Sequence, residues 1–311
     1  MIFAARGVLV SLAFFATVYC PLSLLVVFGW RGAKHISQGT VANPANLLFG
    51  LRIFPFVVSV MVSVCFTFPS FWLMERKSPD EDAGTFILAL CSLFILGAGL
   101  IRVLKVQART TRVVTQWLMG ATTVGGDGRM PRLRASEGAP PLILLGFWKP
   151  RVMISDVATA VLTDDELRVA VRHELWHARS RDNLKRVMLS LTPFPGMKGI
   201  ESAWQETVEL AADEAAVANR QEALDLAAAL IKLSLSSQRW PQPLLATGLV
   251  SGSCSISLRV RRLLQWRSAD RHDQRRWSWS LLVLFTIFIG VARNYSATLV
   301  LTHRLTELLV P

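Results

Sequence analysis

The sequence predicts an α-helical membrane protein with four transmembrane helices and a cytoplasmic α+β domain inserted between the third and the fourth. Three observations lead to this fold class. The chain of 311 residues is 52% hydrophobic, with a mean hydropathy of +0.39. Most of this apolar character is concentrated in four long runs. Between the third and fourth runs, the composition becomes that of a mixed α/β globular domain.

Each apolar run is long enough, at 1.5 Å per residue, to cross a hydrocarbon core of about 30 Å. The first three cover about residues 7–30, 53–74 and 84–104. The first run is too long for the apolar part of a secretory signal peptide, so we expect it to remain in the membrane. The fourth begins at Trp277 and continues to about Leu301. It is interrupted by Arg293 and Asn294, which we place at the far interface because Arg can snorkel there.

The charges beside these runs predict their orientation, because Lys and Arg concentrate on the cytoplasmic side of short loops. The loop at 75–83 is acidic, whereas basic clusters follow the third run and precede the fourth. We therefore expect the N-terminus outside, residues 105–276 in the cytoplasm, and residues 277–311 as a fourth span with a short external tail. The clusters form a basic collar, which we expect to contact anionic lipid headgroups rather than nucleic acid. The collar consists of Arg102, Lys105, Arg109, Arg112, Arg259, Arg261, Arg262, Arg267, Arg271, Arg275 and Arg276.

The predicted cytoplasmic segment begins with strands and continues with helices. Short strands are expected at Leu142 to Leu145 and at Val152 to Ile154. The segment at 151–154 is interpreted either as an edge strand that pairs with an extended substrate or as an ordinary core strand. Thr163 to Glu166 form a capping box that opens a helix through Arg179. Further helices are predicted at about 200–218 and 222–235.

The capped helix contains the motif His173-Glu174-Leu175-Trp176-His177. Two histidines four residues apart lie on one helical face, so their imidazoles can converge on one Zn²⁺. Glu174, beside the first histidine, is then the candidate general base. The motif predicts a zinc site that performs hydrolysis.

A hydrolytic zinc site needs a third protein ligand, and here it must be a carboxylate. The other histidines, His35, His272 and His303, lie in segments that flank the membrane. The helix at about 200–218 offers three acids on one face at helical spacing, namely Glu206, Glu209 and Asp213. Spacing alone does not choose between Glu206 and Glu209.

Three segments resemble the BlaR/MecR type of integral-membrane zinc metallopeptidase: GFWKPRV at 146–152, HELWHARSRDN at 173–183 and ELAADEA at 209–215. The order of three spans, a cytoplasmic gluzincin domain and a fourth span is similar too. The resemblance implies an α+β zincin (gluzincin) domain in a bacterial cytoplasmic membrane. It assigns the third zinc ligand to Glu209, the first residue of an E-x-x-x-D element, and an outer-shell role to Asp213. Ala212 replaces the usual Cys, which we expect to be harmless.

The same resemblance implies a zinc-dependent endopeptidase that acts in signal transduction. Its substrate would be a cytoplasmic protein, such as a transcriptional repressor, or the protease itself. Members that sense β-lactams continue into an external penicillin-binding domain, whereas this sequence stops at Pro311, so we expect another stimulus. Because the two tyrosines, Tyr19 and Tyr295, lie in spans, an Arg or a backbone N–H must stabilise the oxyanion.

Two alternative functions stay open. The first is a membrane quality-control or processing protease, since such enzymes share the HExxH and ExxxD elements. Sparse charge within the spans argues against it, because those enzymes need polar groups that face the substrate. The second is a non-catalytic membrane receptor that uses the zincin domain to bind a partner. The presence of Glu174 argues against this reading, because binding alone requires no general base.

Overall fold

The computed structural model describes residues 2–33, 44–74, 83–118, 122–123, 132–135, 140–146, 148, 150–235, 246–248, 255–267 and 295–309. The chain divides into two compact units. The first consists of Met1–Gly39, Leu51–Ala98 and Ala269–Pro311, and the second of Thr40–Gly50 and Gly99–Ser268. Most of the predicted fourth span, residues 277–294, lies outside the described residues, as does nearly all of the acidic loop at 75–83.

Long apolar helices make up the first unit. The helices that contribute to it are α1 (Ile2–Ala33), α2 (Pro44–Val62), α3 (Phe68–Met74), α4 (Ala83–Leu118) and a C-terminal helix at Tyr295–Leu309, with a π-helical turn at Ser63–Thr67 between α2 and α3. The hydroxyl of Tyr295 donates to the carbonyl of Cys65 within the π-helical turn, at 3.0 Å. Within the described residues, three helical stretches are long and apolar enough to cross a membrane: Phe3–Gly32, Ala45–Met74 and Ala83–Trp117. The first three predicted spans are therefore confirmed, and they make this a membrane-anchored protein.

Two of the helices extend beyond the predicted spans. Helix α2 begins at Pro44 rather than near residue 53, so Arg52 lies inside it and is 2% exposed. Helix α4 continues past residue 104 to Leu118. The difference between helix and apolar run has one physical cause. Charged residues end an apolar run, but Lys and Arg are good helix formers and do not end a helix.

A five-stranded sheet lies in the second unit, in the order β1-β2-β4-β3-β5. Its strands are β1 (Thr122–Thr123), β2 (Arg132–Ala135), β3 (Leu142–Leu145), β4 (Arg151–Ser155) and β5 (Ala246–Gly248). Strands β2 and β4 are parallel and the other pairs are antiparallel. The two predicted strands are confirmed. The edge-strand interpretation of residues 151–154 was wrong, because β4 is hydrogen-bonded on both sides, to β2 and to β3.

Both faces of the sheet are covered, which explains why β3 is apolar throughout. Leu142 and Leu144 belong to the main core, with helices of the second unit. Ile143 and Leu145 point to the opposite face and pack with Met153 and Trp117, the latter near the end of α4. Successive side chains of a strand alternate between faces, so a strand buried on both faces has no polar positions.

Six helices follow or flank these strands in the described part of the second unit: α5 (Asp156–Val161), α6 (Asp164–Arg179), α7 (Asp182–Leu191), α8 (Lys198–Ala216), α9 (Arg220–Leu235) and α10 (Ile256–Leu264). The three predicted helices are confirmed with ends within about two residues. The capping box is also confirmed: Thr163 accepts from the backbone N–H of Glu166, and Glu166 accepts from that of Thr163. Helices α5, α7 and α10 were not predicted.

Candidate metal centre

Helix α6 places the two histidines of the HExxH motif side by side. His173 and His177 are one turn apart, and both side chains are fully buried. Their Nε2 atoms lie 3.1 Å apart, and their rings meet edge to face with centroids 4.8 Å apart. Two imidazole nitrogens that face each other at this distance can share one cation.

Helix α8 packs against α6 and supplies a carboxylate at the same point. Glu209 Oε2 lies 3.6 Å from Nε2 of His173, and Glu209 Oε1 lies 3.8 Å from Nε2 of His177. The ligand atoms of the three residues all lie within 4.8 Å of one another, so the group could hold a metal ion. Glu206, one turn earlier on α8, is only partly buried and is not in this group.

The spacing of the donors fits zinc. Tetrahedral Zn²⁺ bonds to His nitrogen at about 2.0–2.1 Å, which places neighbouring ligand atoms about 3.3 Å apart. The observed separations of 3.1, 3.6 and 3.8 Å lie around that value. Two neutral imidazoles and one carboxylate also form the donor set typical of hydrolytic zinc sites.

An acidic side chain faces the second nitrogen of each histidine. His173 Nδ1 lies 3.0 Å from Asp213 Oδ1, and His177 Nδ1 is hydrogen-bonded to Asp182 Oδ2 at 2.8 Å. A carboxylate at Nδ1 holds the proton there, which leaves the Nε2 lone pair to face a metal. The structure thus brings Asp213 to the histidine pair. Asp182, which lies five positions beyond His177, was not predicted as a site residue.

A strained turn brings Asp182 back to His177. Arg181, between α6 and α7, has φ 54° and ψ 39°, a left-handed conformation that is uncommon for residues other than glycine. Asn183 then joins α7 to the end of strand β3, because its Nδ2 donates to the carbonyl of Gly146 at 2.9 Å. Gly146 itself has φ 85°, so this turn favours glycine. These contacts fix α7 against both the motif helix and the sheet.

Arg259 of helix α10 contacts both Glu209 and Asp213 of α8. Its Nε and Nη2 donate to both oxygens of Asp213 at 2.7 and 2.6 Å, and its Nη1 lies 3.2 Å from Glu209 Oε2. The side chain is fully buried. The inclusion of Arg259 in the lipid-binding collar was therefore wrong, because a guanidinium buried between two carboxylates does not contact headgroups. A bidentate fork of this kind is geometrically specific to Arg.

Burial and the mutual charges shift the pKa values of the site. Burial raises the pKa of Glu174 to about 8, and the charge of Glu209 acts in the same direction. For His173, burial favours the neutral ring, but hydrogen bonds with Asp213 and Glu209 outweigh it and raise the pKa to about 9. Burial lowers the pKa of His177. Burial opposes ionisation of Glu209, yet His173, His177 and Arg259 lower its pKa well below the usual range.

Glu174 lies inside the cluster beside His173 and is fully buried. Among the described residues, neither of its carboxylate oxygens has a hydrogen-bond partner. A buried polar atom without a partner is costly, and a catalytic role or a bound ion is among the reasons for which proteins retain one. The centre therefore combines three convergent donors with an adjacent uncommitted carboxylate, which together can support metal-assisted hydrolysis.

One known family matches this chain. The sequence model of the family described as BlaR1 peptidase M56 matches residues 85–263, which is more than half of the chain. The matched stretch contains every residue placed in the centre above. In a comparison with curated proteins, no match was found.

Proposed function

Because this chain belongs to the BlaR1 peptidase M56 family, we propose that it is a membrane-anchored zinc endopeptidase that cleaves a cytoplasmic protein in signal transduction. The family and the three apolar helices make it a membrane-associated peptidase of the metallopeptidase type. One observation carries the finer proposal: the convergence of His173, His177 and Glu209 next to the unpartnered carboxylate of Glu174.

His173, His177 and Glu209 would hold the zinc ion and leave its fourth position open. When bound, zinc would supply Lewis acidity that polarises the scissile carbonyl and eases ionisation of water. With zinc bound, Asp213 and Asp182 would face the Nδ1 protons of the two histidines and leave both Nε2 lone pairs for the metal. Arg259 holds Glu209 and Asp213 in position on α8.

Glu174 would act as the proton carrier. It takes a proton from the attacking water and later delivers that proton to the nitrogen of the leaving amine. Its environment suits the first step, because a carboxyl whose pKa is raised to about 8 accepts a proton more readily than an exposed glutamate does. Partial loss of that shift on metal binding would leave Glu174 ionised at the start of the cycle.

We further propose that residues 105–276 lie in the cytoplasm, within a bacterial inner membrane protein. The basic clusters beside the third and fourth predicted spans support this orientation. The proposed substrate is then a cytoplasmic protein, and a transcriptional repressor or the chain itself is the candidate that fits a signalling role. The remaining residues of the basic collar are proposed to contact anionic headgroups.

The test is zinc content and proteolysis of the full-length protein purified in detergent. Wild type, Glu174→Gln and Glu209→Ala are each incubated with cytoplasmic proteins of the host, and new peptide termini are read by mass spectrometry. We expect wild type to bind one zinc and generate discrete new termini, and Glu174→Gln to bind zinc without generating them. Identical termini from wild type and Glu174→Gln would refute the proposed catalysis. Absence of zinc from wild type would refute the metal centre.

A further inference from the structure

A second arginine, Arg186, reaches the metal centre from helix α7. It lies one turn after Asp182, so both residues lie on the same face of the helix. Asp182 contacts His177, and Arg186 Nη2 lies 4.0 Å from Glu209 Oε1, the oxygen that faces His177. The Arg186 side chain is only 10% exposed. The face of α7 that orients one histidine therefore also presents a guanidinium to the centre.

Arg186 and Arg259 use their donors differently. Arg259 is committed: its Nε and Nη2 are both bonded to Asp213, and its Nη1 lies against Glu209. In contrast, the buried Nε and Nη2 of Arg186 have no hydrogen-bond partner within the part of the chain that the structure describes. An unpartnered buried guanidinium costs free energy, because N–H groups removed from water lose their hydrogen bonds. Arg186 thus has donors to offer to a group that enters the centre.

Peptide hydrolysis creates a need for such donors. When water adds to the carbonyl carbon, the π-electron pair moves to the oxygen, which becomes an oxyanion in the tetrahedral transition state. A positioned N–H donor then strengthens its hydrogen bond as charge develops. The second unit contains no tyrosine that could do this, because the two tyrosines of the sequence, Tyr19 and Tyr295, belong to the first unit.

On the basis of the proposed peptidase function, we propose that Arg186 is a catalytic residue that donates N–H groups to the scissile carbonyl oxygen as that oxygen becomes negatively charged. Arg186 transfers no proton. Glu174 receives the proton of the attacking water, the C–N bond breaks, and Glu174 returns the proton to the leaving nitrogen. Arg186 and Arg259 have separate tasks: the first contacts substrate and the second holds the protein groups of the centre.

The first test separates catalysis from structure. Wild type, Arg186→Ala and Arg186→Lys are compared for zinc content, melting temperature and hydrolysis of fluorescently labelled β-casein. Arg262→Ala is the matched control, since this arginine is 60% exposed and forms an ion pair with the exposed Glu214. We expect Arg186→Ala to lower kcat by about 10²- to 10³-fold, the range found for loss of one oxyanion donor, with KM and zinc content little changed. Unchanged kcat, or loss of zinc in proportion to activity, would overturn the proposal.

The lysine variant decides the outcome if Arg186→Ala also melts at lower temperature. If Arg186 acts only as a structural positive charge, Arg186→Lys should recover both the melting temperature and the kcat of wild type. If Arg186 binds the oxyanion with two donors, Arg186→Lys should recover the melting temperature while its kcat stays at least about tenfold below that of wild type, because an ammonium lacks the planar pair of donors. Full recovery of kcat by lysine would therefore overturn the proposed role.

A binding measurement keeps this inference distinct from the proposed function. N-phosphoryl-Leu-Trp carries a tetrahedral anion, whereas Leu-Trp hydroxamate binds zinc without one. Arg186→Ala should weaken binding of the phosphoryl probe by about 10²-fold and of the hydroxamate by much less. Equal weakening of both would refute the inference. If wild type binds zinc and both probes but cleaves no protein, the proposed endopeptidase function fails while the role of Arg186 in anion binding is still decided by this ratio.

Discussion

Replacement of Arg259 by methionine tests how the centre is held together. Methionine is unbranched and apolar, like the aliphatic stem of arginine, but it carries no charge. The change therefore removes the guanidinium while the new side chain fills most of the space of the old one. The lost contacts are the two hydrogen bonds to Asp213, at 2.6 and 2.7 Å, and the contact with Glu209 at 3.2 Å. All three side chains are at most 5% exposed. Arg259→Met therefore leaves two buried carboxylates without their shared cation.

The expected loss of stability is large. Removal of one partner from a buried ion pair costs about 3–5 kcal/mol, because the remaining charge is buried without compensation. For a domain of 150–250 residues, each kcal/mol lowers the melting temperature by about 2–4 °C. We expect metal-free Arg259→Met to melt about 6–20 °C below wild type. Saturation with zinc should narrow the gap, because the cation would lie beside Glu209 and replace part of the lost charge.

A second substitution isolates the ion pair. In Arg259→Met with Asp213→Asn, neither charge is present, so less charge stays buried without a partner. The double variant should melt above Arg259→Met alone, although each single change is destabilising. Arg262→Met, on the exposed side of the same helix, is the control and should melt within about 2 °C of wild type, because exposed ion pairs contribute little.

Thermal unfolding in detergent, followed by tryptophan fluorescence with and without zinc, measures these differences. If Arg259→Met has the same melting temperature as wild type, the guanidinium does not hold the centre. Additive losses in the double variant would show that Arg259 and Asp213 act independently. Either result would refute the role of Arg259 as the cation that holds Glu209 and Asp213 in place.

Two further predictions concern the composition of the centre. Glu209→Ala should lose most of its zinc, whereas Glu206→Ala, one turn away and only partly buried, should retain it; equal metal content in the two purified variants would contradict the choice of Glu209. Asp182→Ala should keep the ligand set but bind zinc about 10- to 100-fold more weakly, because the ring of His177 loses its 2.8 Å partner; an unchanged dissociation constant in competition with a chelator would show that Asp182 has no such role.

Local patterns explain why much of the centre was predictable. The capping box and the HExxH motif are each complete within one helix, so their geometry follows from helical spacing alone. The choice of Glu209 over Glu206 is different in kind. Helical spacing places both acids on one face of α8, and the resemblance, rather than spacing, selected the one that lies within reach of both histidines.

Arg259 was missed because its partners are distant in sequence and its neighbours are misleading. It is one of several arginines in a stretch that precedes an apolar run, where a collar at the membrane is the ordinary interpretation. One sequence signal did distinguish it. Counted from Ile256 in α10, Arg259 is at i+3 and Leu263 is at i+7, so Arg259 lies on the apolar face that packs into the core. A charge on the buried face of an amphipathic helix indicates a buried acid opposite it.

The charges of the centre lead to a final prediction. Within the described residues, the centre holds four buried carboxylates, those of Glu174, Asp182, Glu209 and Asp213, and two buried guanidiniums, those of Arg186 and Arg259. Lys185 lies 3.5 Å from Asp182 but is partly exposed, so solvent screens its charge. Counted without Lys185, the buried groups carry two excess negative charges, which a divalent cation or two protons can balance.

The raised pKa values identify where those protons reside. The pKa of His173 is about 9 and that of Glu174 is about 8, so at pH 7 each group holds a proton in the metal-free protein. A divalent cation at the centre removes the reason for both shifts, since it needs the His173 lone pair and favours ionised Glu174. Zinc binding should therefore release close to two protons at pH 7 and almost none at pH 10, where both groups are already deprotonated. Calorimetric titration in two buffers of different ionisation enthalpy measures this number. A proton release that does not fall between pH 7 and pH 10 would show that the metal does not replace protons at His173 and Glu174.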